Sequence, residues 1–312
     1  MSQFSSIDLA AIFTFLFGLV FGSFLNVVIY RVPRQLSVVK PRSACTNCGA
    51  AIRGYDNVPV LSWIILRGRC RDCAHPISAR YAMVELLCGF LFVSAYFYLA
   101  PIDILVQFWT LIKLCCFFFL LLGLIFIDFE HHLLPNALTL PGLLIGVLFS
   151  LAVPVGGMPH LLTRKMFALH WSLRAVSVTD SLAGSAIGAL FIYVVGEVYF
   201  RVRHVEGMGF GDVKLMGMVG AFLGTKLTLV TIFSGAVLGT IFGLAATFSV
   251  WRRRVARRKK RHESNALSRS WRSAKLMLRY YEVPFGVFLG SMAIAATFFG
   301  NQIVSFYLSF YP

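Results

Sequence analysis

Charged side chains are scarce in this 312-residue chain, and acidic side chains are the scarcest of all. Only 13% of the residues are charged, and Asp and Glu together number 13. Soluble domains are usually about 25% charged. This composition, with 58% hydrophobic residues and a mean hydropathy of +0.77, therefore excludes an ordinary soluble protein. Long uncharged runs indicate an integral membrane protein instead.

Lysine and arginine are absent from the first 30 residues. A cleaved signal peptide starts with a basic region, so this absence predicts that the first span is retained. Arg31 and Arg34 follow that span. Because basic residues stay on the cytoplasmic side, they predict an N-terminus on the outer side of the membrane.

Apolar runs of about the length needed to cross a bilayer recur along the whole chain. We predict eight transmembrane spans, of which the segment 212–224 is short enough to be tilted, partly buried or continuous with its neighbour. The predicted spans cover 8–30, 80–100, 103–127, 133–153, 179–200, 212–224, 225–250 and 283–308.

The net charge of +16 is concentrated in two loops. Nine of the 29 Lys and Arg lie in 31–80 and twelve lie in 252–279. With eight spans both loops fall on the cytoplasmic side, as the positive-inside rule requires. Nucleic-acid binding is an alternative use of such charge, but anionic lipid headgroups are a sufficient partner. We therefore predict membrane lipids and no nucleic acid as partners.

Four of the seven cysteines form two CxxC pairs separated by 21 residues, namely Cys45/Cys48 and Cys70/Cys73. This spacing is typical of a tetrahedral zinc site with four thiolates. Gly49 and Gly68 flank the pairs and fit tight metal-binding turns. A redox dithiol or unligated thiols remain alternatives, and His75 is expected to be a bystander. The pattern predicts a small cytoplasmic zinc-binding loop domain, and the fold class is an all-α polytopic membrane protein with about eight transmembrane helices.

Two aspartates, Asp128 and Asp212, lie where an apolar run meets a polar one. A carboxylate in a membrane span costs about 3 kcal/mol, so it usually marks function. Two such groups predict an acid pair that activates water, with glycines around Asp212 in Gly209-Phe-Gly211-Asp212 admitting an extended substrate. Alternatively, Asp128 ends a helix at the interface, Asp212 caps a helix, or the pair forms a proton path.

Three further features are expected to serve structure. Glu85, near the start of the second span, is expected to pair with an arginine of the cysteine loop. Lys214 either holds the charge of Asp212 or extends toward the interface. Small residues such as Gly184-x-x-x-Gly188 let helices approach closely, although chance can also produce this spacing in a chain with 26 glycines.

These motifs, in this order, resemble the type IV prepilin peptidases, also called prepilin leader peptidase/N-methyltransferases. The resemblance covers about residues 18–290, and Ala82 and Val287 depart from it by standing where the family often has proline. The matching segments are Gly22-Ser-Phe-Leu-Asn26, Pro41 to Cys48, Tyr55 to Trp63, Arg67 to Cys70, Ile77 to Glu85, Asp128 with His132 to Asn136, Gly207 to Lys214, and Val283-Pro-Phe-Gly286.

The resemblance implies an enzyme of the bacterial inner membrane. Such an enzyme cuts the leader from type IV prepilins and type II secretion pseudopilins after a glycine, with Asp128 and Asp212 as its proteolytic aspartates. It then methylates the new N-terminus with S-adenosylmethionine. No Rossmann G-x-G-x-x-G motif follows a predicted strand here, so the sequence does not identify residues that bind the methyl donor.

The predicted organisation has three parts: a first transmembrane helix at 1–30, the four-cysteine loop domain at 31–79, and a transmembrane peptidase core at 80–312 with the basic segment at 252–279. A carboxylate-based ion transporter, a non-catalytic scaffold for pilus assembly and a peptidase without methylation are the alternatives. The oligomeric state, the particular pilins and the protonated aspartate are not determined by the sequence.

Overall fold

The computed structural model describes most of the chain. The described residues are 2–99, 104–153, 172–204, 209–260, 267, 269–271, 273 and 284–310. Residues 154–171 of the predicted outer loop, and 261–266 and 274–279 of the predicted basic segment, lie outside this part. Gly207 and Val283, which belong to motifs of the resemblance, also lie outside it.

Helices make up nearly all of the described structure, as predicted. Within these residues the β structure consists of two isolated bridges. The helices are α1 (Ser2–Arg31), α2 (Leu61–Ile65), α3 (Arg80–Tyr98), α4 (Ile104–His131), α5 (Asn136–Ala152), α6 (Leu173–Arg203), α7 (Phe210–Lys260) and α8 (Phe285–Leu308).

Six of these helices, all except α2 and α5, are long and apolar enough to cross a membrane, judged by length and composition over the described residues. Helix α5 is apolar but has only 17 residues. The described chain is therefore an all-α, multi-pass membrane protein, and the predicted fold class is confirmed.

Helix α7 folds back at Gly224, where the sequence predicted one span to end and the next to begin. Gly224 has φ 75° and ψ 176°, which is outside the helical region. A Cβ atom at Gly188 would lie 2.7 Å from the Met216 carbonyl oxygen and 2.9 Å from the Thr228 methyl carbon. Residues twelve apart in a straight helix are separated by about 18 Å. The parts 210–223 and 225–260 therefore form two separate helical segments. Together with the six other apolar helices (α1, α3, α4, α5, α6 and α8) they make eight apolar segments among the described residues, which is the number of spans predicted.

Asp180, a residue of α6, stabilises this reversal of the chain. Its Oδ1 accepts the backbone N–H of Thr225 at 3.2 Å, and the side chain is fully buried. The reversal leaves the Thr225 N–H without a partner in the preceding turn. The sequence predicted α6 to begin at residue 179; it begins at Leu173, and Asp180 consequently lies inside the helix.

Helix α4 is at the centre of the bundle, because it contributes to both apolar clusters. Phe117, Phe118 and Leu121 pack with residues of α7 and α8 in one cluster. Leu122 and Ile127 pack with α1 and α3 in the other. The C-terminal end of α4 consequently lies between the two halves of the molecule, where Asp128 is found.

The closest helix contact joins α6 to α7 through glycines. A Cβ atom at Gly184 would lie 2.7 Å from the carbonyl oxygen of Gly220, so the backbones are in direct contact. Only glycine permits this approach, which supports the interpretation of the Gly184-x-x-x-Gly188 spacing as a packing motif.

Candidate active site and metal site

Asp128 lies in the last turn of α4 and is directed at the beginning of α8. Its Oδ2 accepts the backbone N–H of Val287 at 3.0 Å, and the N–H of Gly286 also interacts with this carboxylate. A Cβ atom at Gly286 would lie 2.8 Å from the same oxygen. The N-terminus of a helix stabilises a negative charge through its free N–H groups and its dipole. The start of α8 therefore holds the Asp128 carboxylate in place through two backbone N–H groups.

Asp212 lies in the first turn of α7. Its backbone N–H donates to the Gly209 carbonyl at 3.1 Å. Like Asp128, it is buried: Asp212 is 7% exposed and Asp128 is 6% exposed. Asp212 therefore does not act as a simple surface cap of its helix, since most of its carboxyl group is enclosed by protein.

The fold brings the two predicted carboxylates together, although 84 positions separate them in sequence. They are close enough to interact electrostatically. Leu134, in the connection between α4 and α5, packs against the backbone next to each aspartate. A Cβ atom at Gly211, beside Asp212, would lie 2.9 Å from the Leu134 side chain, and one at Gly286, beside Asp128, would lie 3.0 Å from it. One buried site thus forms where the end of α4 meets the starts of α7 and α8.

Lys214 does not hold the charge of Asp212 in this structure. Its Nζ donates to Oδ1 of Asn136 at 2.6 Å and lies 4.8 Å from the centre of the Phe210 ring. Asn136 is the first residue of α5. Lys214, two residues after Asp212, therefore links the start of α7 to the start of α5.

The four paired cysteines form one cluster, as their spacing predicted. Their Sγ atoms all lie within 4.8 Å of one another, and those of Cys45 and Cys73 are 3.8 Å apart. A zinc–sulfur bond is about 2.3 Å, so the sulfur atoms of a tetrahedral zinc site are separated by about 3.8 Å. All seven cysteines are free thiols, and the cluster has the ligand number and size for one zinc ion.

The two CxxC segments adopt the same local structure. In each, the residue after the second cysteine has positive φ: 72° at Gly49 and 55° at Ala74. Their backbone N–H groups donate to the carbonyls of Cys45 and Cys70, both at 2.9 Å. This repeated turn directs the thiols of both segments toward one point. The positive φ of Gly49, and that of Gly68 at 66°, agree with their predicted turn positions.

Backbone donors stabilise the thiolate form of two of the four cysteines, Cys45 and Cys73. The N–H groups of Cys48 and Asn47 lower the pKa of the Cys45 thiol to about 6. The N–H of His75 lowers the pKa of Cys73 in the same way. Zinc binds thiolates rather than thiols, so this environment suits a metal ligand, and His75 contributes its backbone only.

The sequence-based prediction that Glu85 pairs with an arginine was wrong, and the role of Gly286 as a neighbour of Asp128 was not predicted. Glu85 pairs with no arginine among the described residues; its Oε2 accepts the Val60 N–H at 2.7 Å. Gly286 was noted as part of a motif, but its contact with Asp128 depends on tertiary structure. The available signal was a glycine two residues after Pro284, at the start of an apolar span.

The fold and site define a class: a multi-pass helical membrane protein with a buried aspartate pair and a four-cysteine loop. Two family models match the chain. The Bacterial Peptidase A24 N-terminal domain matches residues 16–99, and the Type IV leader peptidase family matches residues 114–244.

Three curated relatives carry the name "Prepilin leader peptidase/N-methyltransferase". The protein from Myxococcus xanthus is 39% identical over 76% of this chain, although the alignment spans 63% of that relative. The Dichelobacter nodosus protein is 35% identical over 78% of this chain and 86% of its own length. The Aeromonas hydrophila protein is 31% identical over 95% and 92%. No solved structure matches the chain.

This chain belongs to the type IV leader peptidase family. It is accordingly an enzyme, a membrane peptidase of a kind whose relatives are named for N-methyltransferase activity as well.

Proposed function

We propose that this chain cleaves the leader from type IV prepilins and type II secretion pseudopilins after a glycine, and then methylates the new N-terminus with S-adenosylmethionine. The observation that carries the peptidase assignment is the meeting of Asp128 and Asp212 in one buried site. The N-methyltransferase part rests on the relatives' names.

The two carboxylates divide the work of hydrolysis. Asp128, with the N–H groups of α8 directed at it, is the ionised member and takes a proton from the attacking water. Asp212 donates a proton to the carbonyl oxygen of the scissile peptide bond. Two close carboxylates titrate as a pair and cannot readily both ionise, which suits this division.

The site is suited to a substrate that enters from the membrane. Phe129 and Phe210 lie next to the aspartates in sequence and are well exposed. The hydrophobic helix that follows a prepilin leader would lie against such apolar surface, with the scissile bond at the membrane boundary. Both carboxylates lie at helix ends rather than mid-helix, which supports a scissile bond at this boundary.

The basic loops orient the protein in the inner membrane. By the positive-inside rule the N-terminus is outside, while the cysteine loop and both aspartates face the cytoplasm. The three parts are the first transmembrane helix at 1–30, the loop domain at 31–79 and the peptidase core at 80–312. Zinc held by Cys45, Cys48, Cys70 and Cys73 is structural, because four thiolates leave no open coordination position.

The test is a single incubation of purified enzyme with a prepilin and S-adenosylmethionine, followed by mass analysis of the product. The wild-type protein should release a shortened pilin carrying one methyl group. Asp128→Asn and Asp212→Asn should each lower the cleavage rate at least about a hundredfold. The matched control is Glu197→Gln, since Glu197 is a partly exposed carboxylate whose ion-pair partner among the described residues is Arg201.

The outcomes separate the alternatives. Full cleavage by either aspartate variant would remove that carboxylate from the mechanism. A shortened but unmethylated product would leave a peptidase without the second activity. Ion flux in liposomes, without any cleavage, would identify a transporter. Binding of pilins that persists when both aspartates are replaced, also without cleavage, would identify a scaffold.

A further inference from the structure

A cavity of about 410 Å³ lies between the cysteine loop and the membrane helices α1 and α3. We call it the loop cavity. Its walls include Ser23, Asn26, Tyr30, Trp63, Tyr81 and Glu85, and Cys45 and Cys70 also line it. Pockets for small molecules usually have volumes of about 300–1,000 Å³. The loop cavity is therefore large enough for a small organic ligand, and it is separate from the aspartate pair.

Glu85 is the unpaired carboxylate of this cavity. The arginines that also line it are engaged elsewhere: Arg53 pairs with Asp72, Arg71 pairs with Asp56, and Arg31 donates to backbone carbonyls. Glu85 is 8% exposed, and its carboxylate accepts hydrogen bonds from the Val60 N–H and the Ser23 hydroxyl. Among the described residues no Lys, Arg or His forms an ion pair with it. A buried carboxylate is costly unless it is paired. A cationic ligand in the cavity would supply the missing partner.

Asn26 adds an unused acceptor to the same wall. Its Nδ2 donates to the Tyr81 carbonyl at 3.0 Å. Its Oδ1 is buried and has no partner among the described residues. Buried polar atoms are nearly always hydrogen-bonded, so Asn26 has an acceptor available for a ligand donor. The aromatic rings of Tyr30, Trp63 and Tyr81 supply flat surfaces of the kind on which nucleobases stack.

The loop cavity lies beside the cleavage site. Arg80, the first residue of α3, forms an ion pair with Glu130, two residues beyond Asp128. Tyr81 and Glu85, on the first turns of α3, line the cavity. The beginning of α3 thus borders the cavity and contacts the end of the helix that carries Asp128.

We propose that the loop cavity binds S-adenosylmethionine, with Glu85 facing its positive charge and Asn26 accepting one of its N–H groups. S-adenosylmethionine is a small molecule with an adenine ring, N–H donors and a cationic sulfonium centre that carries the methyl group. These properties match the aromatic walls, the free acceptor and the unpaired carboxylate. The assignment rests on the proposed methyltransferase function and adds to it the location of the donor.

Equilibrium binding to the purified full-length protein in detergent tests this assignment without any turnover. Wild-type protein should bind S-adenosylmethionine, and Glu85→Gln should weaken this binding at least about tenfold. Binding of S-adenosylhomocysteine, whose sulfur is uncharged, should change less. Ser23→Ala is a milder second variant with the same expected direction, and Glu197→Gln should bind as the wild type does.

Ultraviolet cross-linking of radiolabelled S-adenosylmethionine to the wild-type protein provides a measurement that needs no variant. Label should appear in peptides from 23–31, 43–63 or 75–85. Label confined to α6–α8, or unchanged affinity in both Glu85→Gln and Ser23→Ala, would overturn the cavity assignment and leave the methyltransferase proposal intact. A wild-type protein that cleaves prepilin but neither binds nor uses S-adenosylmethionine would overturn both.

Discussion

The backbone N–H of Val287 donates a hydrogen bond to Oδ2 of Asp128 across 3.0 Å, and this contact joins residues 159 positions apart. Through it the start of α8 is fixed against the end of α4. The contact shows why a glycine precedes Val287. At Gly286 the backbone passes so close to the carboxylate that a side chain would occupy the same space.

Gly286→Ala should therefore impair cleavage without unfolding the protein. Its Cβ would meet Asp128 Oδ2 at 2.8 Å and Leu134 Cδ1 at 3.0 Å. A displacement of the carboxylate by about 1 Å can cost about a hundredfold in rate. Cleavage kinetics on a prepilin would measure this loss. Gly243→Ala is the matched control, because a Cβ there meets none of the described residues within 4 Å; equal rates in the two variants would contradict the steric argument.

Val287→Pro should be tolerated, in contrast to Gly286→Ala. Proline removes the N–H that Val287 donates, but residue 287 is in the first turn of α8, where proline is accommodated. The Gly286 N–H still interacts with Asp128. The type IV prepilin peptidases often have proline here, which agrees with this expectation. A cleavage rate within about threefold of wild type is expected; a loss comparable to that of Asp128→Asn would mean that the Val287 N–H is indispensable.

The sequence was sufficient for the positions of the aspartates but not for their immediate contacts. Hydropathy and the count of spans put Asp128 and Asp212 on the same side at similar depth, because membrane thickness restricts where a helix ends. The boundary between 212–224 and 225–250 was predicted, but the sequence left open whether the two spans are continuous; the non-helical backbone of Gly224 shows that they are not. Gly286 was not identified as a neighbour of Asp128, because lateral helix packing leaves no periodic signal in one sequence.

In the cysteine loop, too, the positions of the residues could be predicted from the sequence but some of their contacts could not. The ligand set and the turn glycines follow from local spacing, and the structure assembles all four thiols. The partner of Glu85 could not be deduced, since it is the backbone N–H of Val60, a group that every residue except proline carries. Charge pairing suggested an arginine, but the fold places the nearby arginines elsewhere, with Arg71 on Asp56 and Arg53 on Asp72.

Cys45→Ser should lower the bound zinc, and His75→Ala should not. The thiol of Cys45 belongs to the four-sulfur cluster, whereas His75 serves Cys70 and Cys73 through its backbone. Elemental analysis of purified protein should find about one zinc per chain in the wild type and in His75→Ala, and substantially less in Cys45→Ser. Limited proteolysis should cut the loop faster in Cys45→Ser, because zinc contributes folding free energy to a small domain. Full zinc occupancy in Cys45→Ser would refute the ligand set.

Gly184→Ala should destabilise the bundle, since the added Cβ would lie 2.7 Å from backbone atoms of Gly220 and Gly224. Overpacking of this kind costs about 1–3 kcal/mol, and backbone atoms cannot rotate out of the way as a side chain can. Thermal unfolding in detergent would measure the loss. Gly243→Ala again serves as the control, with a neutral or slightly stabilising effect because alanine is the better helix former. A Gly184→Ala protein as stable as this control would show that α6 and α7 are not in backbone contact.

Lys214 should act on cleavage through Asn136, as a positioning residue for Asp212. Its ammonium group donates to Asn136 at 2.6 Å, and so holds the start of α7 against the start of α5. If this bond is its role, Lys214→Ala and Asn136→Ala should each slow cleavage by about tenfold, and the double variant should be little slower than either. The effect should fall on kcat more than on KM, since the substrate surface is unchanged.

If Lys214 instead held the charge of Asp212 directly, the Asn136 substitution would not change the effect of replacing Lys214, and the two losses of rate would multiply. The double-mutant cycle therefore decides between a lysine that orders the site and one that takes part in its electrostatics.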